Sequence, residues 1–385
     1  MHIFISAGEP SGDLHGANLI RELHKECPQA EFSGFGGDKM AGMGCRLIYP
    51  LCSLALLGLG RVFLNLHRFV ILLVRANRFF RAHRPDAVVL IDFPGFNWWV
   101  ARRARAHGIP VFYFVPPQLW AWAGWRVKKM KRLVDHVLCT LPFEAPWYRE
   151  RGVEAQYIGH PYFDELADQQ LNAAFVEDQQ DRPGVIIGLL PGSRDQEVTG
   201  NLEAQLNAAA YIHKARPGTR FLVACLHPAQ RDRVMEKLRH TTLPIEVHAG
   251  RTPEIIHLAH SCISVSGSVG LELLYRGKPA VVVYYGNQFM TFLADSVLTC
   301  RYISLVNLLA DKLLFPEFKG PNLDASKIGG PIVSWLNDSV KYQQTCGELT
   351  KLREKVLKPG ACQWAARYVL QTLQRPDIIR QRPAA

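Results

Sequence analysis

Short apolar runs alternate with amphipathic stretches along nearly the whole chain. In the first half "HIFISAG", "AVVLID", "PVFYFV" and "HVLCT" read as buried strands. In the second half "VIIGLLPG", "FLVACL", "CISVSG" and "PAVVVYY" read the same way. Between them, 14–26, 96–107, 200–215 and 268–276 carry helical periodicity. This alternation predicts an α/β fold with parallel sheets in two Rossmann-like, doubly wound domains. A polar stretch at 165–184, "ELADQQLNAAFVEDQQDRPG", marks the connection. The expected domains are 1–165 and 166–344, with helices of 345–385 packing back on the first. The two halves are expected to face a cleft, with ligands beyond the carboxyl ends of the strands.

A length of 385 residues suits two such domains. A hydrophobic share of 48% with 21% charged residues excludes a disordered chain. The 9 cysteines are scattered without a CxxC pair, which points to buried thiols rather than a disulfide framework or a zinc site. The start, "MHIFISAGEPSGD", reads as a strand entering a turn, not as a signal peptide. The uncharged apolar run 47–60 falls short of the ~20 apolar residues a membrane span needs.

Charge is unevenly placed. The net value is +11, yet Arg61 to Arg132 holds fourteen Lys/Arg against Asp86 and Asp92, which is +12 on its own. From 60 to 84 the pattern is helical, with Phe63 and Phe69 among its apolar positions and Arg61, Arg68 and Arg75 forming one stripe. Further on, Trp120, Trp122 and Trp125 precede Arg126, Lys128 and Lys129. Indoles and cations together suit a monotopic surface on anionic head groups. A plain alternative keeps the apolar side chains in the core and the arginines in water. Nucleic acid fits less well, because Leu, Val and Ile interleave with the cations where stacking platforms would be needed.

Candidate chemistry gathers at strand ends. "IGLLPGSRDQEV" runs from strand to helix through Gly192, Ser193 and Arg194. Backbone amides with a guanidinium fork form a diphosphate grip. The same residues also fit a capped helix with a solvated arginine. "CISVSGSVGLELL" repeats the design at Ser266, Gly267 and Ser268. Glu272, one turn on, has the reach to bind two sugar hydroxyls; taken singly, a first-turn Glu favoured by the helix dipole is the simpler reading. Two such turns in one domain favour a nucleotide diphosphate. Neither turn is GxGxxG or GxxxxGK[ST], so dinucleotide binding and Walker-type hydrolysis lose support.

Asp92 ends a buried strand before Pro94-Gly95. Partial desolvation there would raise its pKa toward that of a useful general base; an Asp closing its own turn is the alternative. Glu9 lies in the first strand–helix loop, flanked by Gly8 and Gly12, with Ser11 and Asp13 as cap candidates and His15 as a structural residue. No metal-ligand cluster or nucleophile elbow is present in the sequence.

Eight blocks occur in order: "GEPSGD", "IDFPGFN", "WAW", "LPFE", "IGHP", "LLPGSRDQEV", "SGSVGLE" and "SLVNLLA". With them the chain resembles the lipid-A-disaccharide synthases over nearly its whole length. The resemblance implies an inverting glycosyltransferase of the GT-B architecture, acting on UDP-2,3-diacylglucosamine and 2,3-diacylglucosamine 1-phosphate (lipid X). It implies no cofactor and no metal. It makes Asp92 the essential carboxylate, Glu9 the loop acid and Arg194 the diphosphate arginine. Glu272 and Asn307 become nucleotide contacts, and Gly8, Ser11, Gly12 and Asn97 acceptor-loop residues. Domain 1–165 would face the acceptor and membrane, and 166–344 would hold the UDP-sugar. The expected setting is peripheral, on the cytoplasmic face of an anionic inner membrane, as monomer or homodimer, without nucleic acid. The chain departs from the family pattern at Gly95, Pro116 and Ala123. Another UDP-sugar enzyme of the same fold, or a non-catalytic lipid binder, is the alternative.

Overall fold

The computed structural model of the chain describes residues 1–55, 66–286 and 300–374. It divides into two compact units: Met1–Asp164 with the chain from Lys358, and Glu165–Leu357.

The first unit is built on a 7-stranded sheet: β1 (His2–Ala7), β2 (Glu31–Phe35), β3 (Arg46–Tyr49), β4 (Ala87–Ile91), β5 (Val111–Phe114), β6 (His136–Cys139) and β7 (Ala155–Tyr157). Strand order is β3-β2-β1-β4-β5-β6-β7, and every pair is parallel. β4 and β5 are buried at every position, which is why they appear in sequence as unbroken apolar runs. Alternation along β1 sends Phe4 to one face, with Phe35, Phe80 and Tyr113. Ile3 and Ile5 go to the other, with Leu19, Phe112 and Val369.

The second unit holds a 6-stranded sheet: β8 (Val185–Leu190), β9 (Thr219–Cys225), β10 (Ile245–Ala249), β11 (Ser261–Val265), β12 (Ala280–Tyr285) and β13 (Glu317–Gly320). Its order, β10-β9-β8-β11-β12-β13, repeats that of the first unit without the seventh strand.

The helical carboxyl-terminal segment is split. Helix Ser339–Val356 belongs to the second unit, and only helix Ala361–Gln374 returns to pack on helix Pro10–Glu26. The return therefore starts at Lys358, not at 345. Pro359-Gly360 separates the helices, with Gly360 at φ 79°. Asp164 fastens the crossing by accepting from the Gly360 amide at 2.7 Å and the Cys362 amide at 3.3 Å.

Both sheets reverse direction beside their first strand, between β1 and β4 and between β8 and β11. At such switch points the following loops diverge and leave room for a ligand at the strand ends. Ala7 pairs with Ile91 in the first sheet and Leu190 with Ser264 in the second. Glu9 and Asp92 thus flank one switch point, and Gly192–Arg194 and Ser266–Ser268 the other.

Candidate active site

Asp92 follows β4 directly, on a backbone that few side chains adopt. Its φ is 43°, that of Phe93 is 47°, and Val115 after β5 stands at 52°. A β-branched residue in the left-handed region is a true outlier, and such geometry persists only where its surroundings enforce it. Here they do. The Asn97 amide donates to the carbonyls of Asp92 (2.7 Å), Ile91 (3.2 Å) and Ser6 (3.2 Å). The Ser6 hydroxyl donates to Asn97 Oδ1 at 2.7 Å and fixes the amide's orientation. The Tyr113 hydroxyl gives the Asp92 carbonyl a second donor at 2.7 Å, and the Asp92 amide donates to the Val115 carbonyl at 3.3 Å. Asn97 is fully buried and braces the turn through these bonds. Sequence gave no hint of Tyr113, which reads as a core residue of β5, although Ser6 is the one polar residue inside the apolar run of β1.

Burial pushes the Asp92 carboxyl up to about 6, and the nearby negative charge of Glu9 adds to the rise. His15 opposes it. A carboxylate titrating near 6 is ionised at neutral pH and retains useful basicity. Glu9 caps helix Pro10–Glu26 with its backbone, leaving its side chain outside the cap. A side chain at Gly8 would overlap the Phe93 ring, so this loop is pressed against the Asp92 turn. Gly12 is buried against Ala7 and Ile91, while Ser11 is exposed. Asp13 does cap a helix, but a different one: it accepts from the amides of Gly37, Lys39 and Met40 at 2.7–3.1 Å. His160 of the "IGHP" block lies near enough to His15 to feel its charge, and burial drives it down to about 3, so it is neutral at physiological pH.

At the second switch point Gly192 has φ 130°. Glu197, in the first turn of helix Asp195–Ala215, accepts from the amides of Ser193 (3.0 Å) and Arg194 (3.2 Å). Its other oxygen pairs with Arg194 Nη1 at 3.1 Å, while the arginine side chain stays 75% exposed. Gln205 donates to the Leu190 carbonyl at 3.2 Å and Gln230 to that of Ser193 at 3.4 Å. Glu197, Gln205 and Gln230 were not singled out in sequence; only the spacing from Arg194 to Glu197, that of a capping box, was a signal for the first.

Ser266 donates to the Ile303 carbonyl at 2.6 Å, and Gly267 and Ser268 are exposed beside it. Glu272 is buried and paired with Arg276 at 3.1 Å. Asn307 is bonded within its own unit. Its Nδ2 donates to the Phe315 carbonyl and to Glu317, its Oδ1 accepts from the amides of Leu314 and Phe315, and it is fully buried. With its amide already engaged it serves as a brace: Glu317 in turn accepts from the amides of Ile303 and Ser304 and holds the segment that Ser266 touches.

The basic face is sorted by the structure. Trp122 and Trp125 are exposed, Trp125 by 72%, and Arg126 lies over both rings at 4.8 and 5.0 Å. Lys129 lies over Trp98 and Trp99, and Lys128 is exposed. Trp120 is instead tied inward, donating to buried Glu144 at 2.9 Å. Arg68 of helix Leu66–His83 is exposed, but Phe69 turns in against Phe96 and Phe93 beside the Asp92 turn. Trp120 and Phe69 are thus half-buried and engaged within the unit. Arg61 and Phe63 lie outside the described residues. Among the described residues no helix is long and apolar enough to cross a membrane.

Each unit is a parallel, doubly wound sheet, one with a carboxylate on a strained turn at its switch point and the other with an arginine-bearing turn, and together they define a two-domain α/β architecture of the GT-B class. A UDP-GlcNAc 2-epimerase from Neisseria meningitidis, solved bound to UDP-GlcNAc, matches with a TM-score of 0.62 at 12% identity, over 97% of this chain and 100% of that one. The calicheamicin glycosyltransferase CalG4 matches with a TM-score of 0.60 at 15% identity, over 97% and 98%. At such identities the likeness concerns the fold. Sequence goes further. The family model described as lipid-A-disaccharide synthetase matches residues 3–371. The lipid-A-disaccharide synthase of Trichlorobacter lovleyi is 33% identical over 97% of this chain and 98% of its own length. That of Myxococcus xanthus is 31% identical over 96% and 97%. The chain belongs to the lipid-A-disaccharide synthase family and is a glycosyltransferase of lipid A biosynthesis.

Proposed function

We propose that this enzyme transfers diacylglucosamine from UDP-2,3-diacylglucosamine to the 6-hydroxyl of lipid X. The products are the β-1,6-linked disaccharide 1-phosphate and UDP. Asp92 takes the hydroxyl proton as the oxygen attacks the anomeric carbon from the face opposite the leaving group. The bond to the UDP oxygen breaks, and the anomeric configuration inverts. Positioned general-base catalysis contributes on the order of 10²–10⁴ in rate. Arg194 and the amides of Ser193 and Arg194 meet the diphosphate charge that grows on departure. The turn at Ser266–Ser268 and Glu272 contact the nucleoside, and Glu9 and Ser11 border the acceptor. The observation that carries this reading is Asp92, held on an enforced turn at a switch point with its pKa raised to about 6.

Both substrates carry acyl chains, and each buried CH₂ is worth ~0.8 kcal/mol. Drawing such lipids into water would stall the reaction. Exposed Trp122, Trp125 and Lys128, half-buried Arg126 over the two indoles, and exposed Val70, Ile71 and Val74 of helix Leu66–His83 suit a face that rests on anionic head groups. We propose that the enzyme works there, peripherally, on the cytoplasmic side of the inner membrane.

The test is UDP release from both acylated sugars dispersed in detergent. Wild type should release UDP and Asp92→Ala should not, while UDP still binds to both. If UDP binding disappears along with turnover, Asp92 is not the base. For the membrane, anionic vesicles should pull the protein down at low salt, and Trp122→Ala with Trp125→Ala should leave it in the supernatant. Equal sedimentation of the double variant would remove that face from consideration.

A further inference from the structure

The donors of the Gly192–Arg194 turn already have an anionic acceptor within the chain. One Glu197 oxygen takes the Ser193 and Arg194 amides at 3.0 and 3.2 Å, and the other takes Arg194 Nη1 at 3.1 Å. This carboxylate engages two backbone donors and a guanidinium together, which is also how a phosphate group is gripped at a helix start. The fit is close. A Cβ on Gly192 would stand 2.5 Å from Glu197 Cβ, so only glycine lets the turn fold onto this side chain. The neighbouring acid, Asp195, is engaged elsewhere, with Arg233 at 2.8 Å.

We propose that Glu197 is a tethered competitor for the diphosphate of the nucleotide, a carboxylate that UDP must displace from the turn and that returns to it as UDP leaves. The inference rests on the reading of this turn as the diphosphate grip. Two anions cannot share one set of N–H donors without strong repulsion. Displacement has an outlet, because Arg194 is 75% exposed and the Glu197 side chain, at 28%, still reaches the surface. The exchange weakens binding of the anionic product and keeps the turn ordered between turnovers. It lowers affinity for substrate and product alike, and so favours release over tight ground-state binding.

Glu197→Gln separates competition from a purely structural role. Glutamine still serves the capping box at this position, so the turn keeps its fold, while the charge facing Arg194 is lost. Calorimetric titration with UDP, UMP and uridine is the measurement. UDP should bind about two- to fivefold more tightly to the variant, the range set by an exposed ion pair. UMP should gain less, and uridine, which carries no phosphate, should be unchanged. Weaker or unchanged UDP binding overturns the proposal, since Glu197 would then support the nucleotide. Uridine shifting as much as UDP overturns it too, because the change would lie in the fold of the turn. Arg194→Ala, titrated in parallel, checks the underlying reading. If it leaves UDP affinity untouched, the diphosphate assignment fails and takes this inference with it.

Discussion

At Asp92 the backbone is held by buried side chains: Asn97 reaches three carbonyls, Ser6 fixes Asn97, and Tyr113 adds a second donor to Asp92. At Gly192–Arg194 the turn relies on glycine, its amides point at one displaceable acid, and its arginine lies in solvent. Both turns flank the switch point of their sheets, the first after β4 and the second after β8. The same topology thus carries two opposite constructions. A group that moves a proton gains from being fixed before the substrate arrives. A group that grips a leaving diphosphate has to fill and empty in every cycle.

The sharpest way to break this contrast is Asp92→Asn. It keeps the shape of the side chain and removes the base, so turnover should fall by about 10²–10⁴ while UDP affinity holds. In wild type, kcat/KM should drop about tenfold per pH unit below pH ~6, where Asp92 takes up its proton. Stability should move the other way. The folded pKa of about 6 exceeds the unfolded value near 3.9, so the native state binds the proton more tightly and loses stability as pH rises between the two. Above that window Asp92→Asn should raise stability by on the order of 2 kcal/mol in denaturant titrations. A variant that is both active and less stable would contradict the whole account of this turn.

Asn97→Ala tests the rigidity itself. It strips donors from the carbonyls of Ser6, Ile91 and Asp92, at a cost of about 2–3 kcal/mol. Turnover should fall about tenfold to a hundredfold, since small displacements of a catalytic group are expensive. The acid limb of the pH profile should leave its wild-type position, because Asp92 no longer sits in the same surroundings. A stability loss with kcat and the limb unmoved would make Asn97 merely structural.

Much of this was legible in the chain. The strands announced themselves because parallel strands buried on both faces are continuous apolar runs, and Asp92, Gly192 and Arg194 stood out as chemistry at their ends. The braces did not. Asn97 pairs with Ser6 across 91 positions and with β4 beside it, and periodicity reports only local neighbours. The bonds of Asn307 to Phe315 and Glu317 were hidden for the same reason: they depend on where β13 falls, which no helical pattern at 305–310 reveals. Trp120 and Phe69 looked like neighbours of exposed aromatics and cations. The bond from Trp120 to Glu144 and the ring contacts of Phe69 with Phe93 and Phe96 set their direction.

For the second turn, Arg194→Ala should weaken UDP binding about tenfold, the loss of one strong charge-assisted contact. The acid limb near pH 6 should stay where it is, since the arginine does not act on Asp92 in this account. The two variants then differ in kind: Asn97→Ala changes the pH profile and leaves UDP affinity alone, and Arg194→Ala does the reverse. A shift of both readouts by either variant would merge the two turns into one coupled structure.

The smallest effect should come from Gln230→Ala, and its smallness is the point. Gln230 is the counterpart of Asn97: a buried amide that donates to a carbonyl of the functional turn and accepts from an amide, that of Leu226 at 2.7 Å. Its bond to the Ser193 carbonyl is 3.4 Å long, against 2.7 Å from Asn97 to Asp92. At that length a hydrogen bond is weak, and the turn it serves has to yield to Glu197 and to diphosphate in alternation. Loss of the partner for the Leu226 amide should lower stability by about 1 kcal/mol. UDP affinity should change by less than about threefold, because Gly192 and Glu197 shape the turn without it. A tenfold loss of UDP affinity would mean that the second turn is braced as firmly as the first, and the contrast between a fixed base and a yielding grip would not stand.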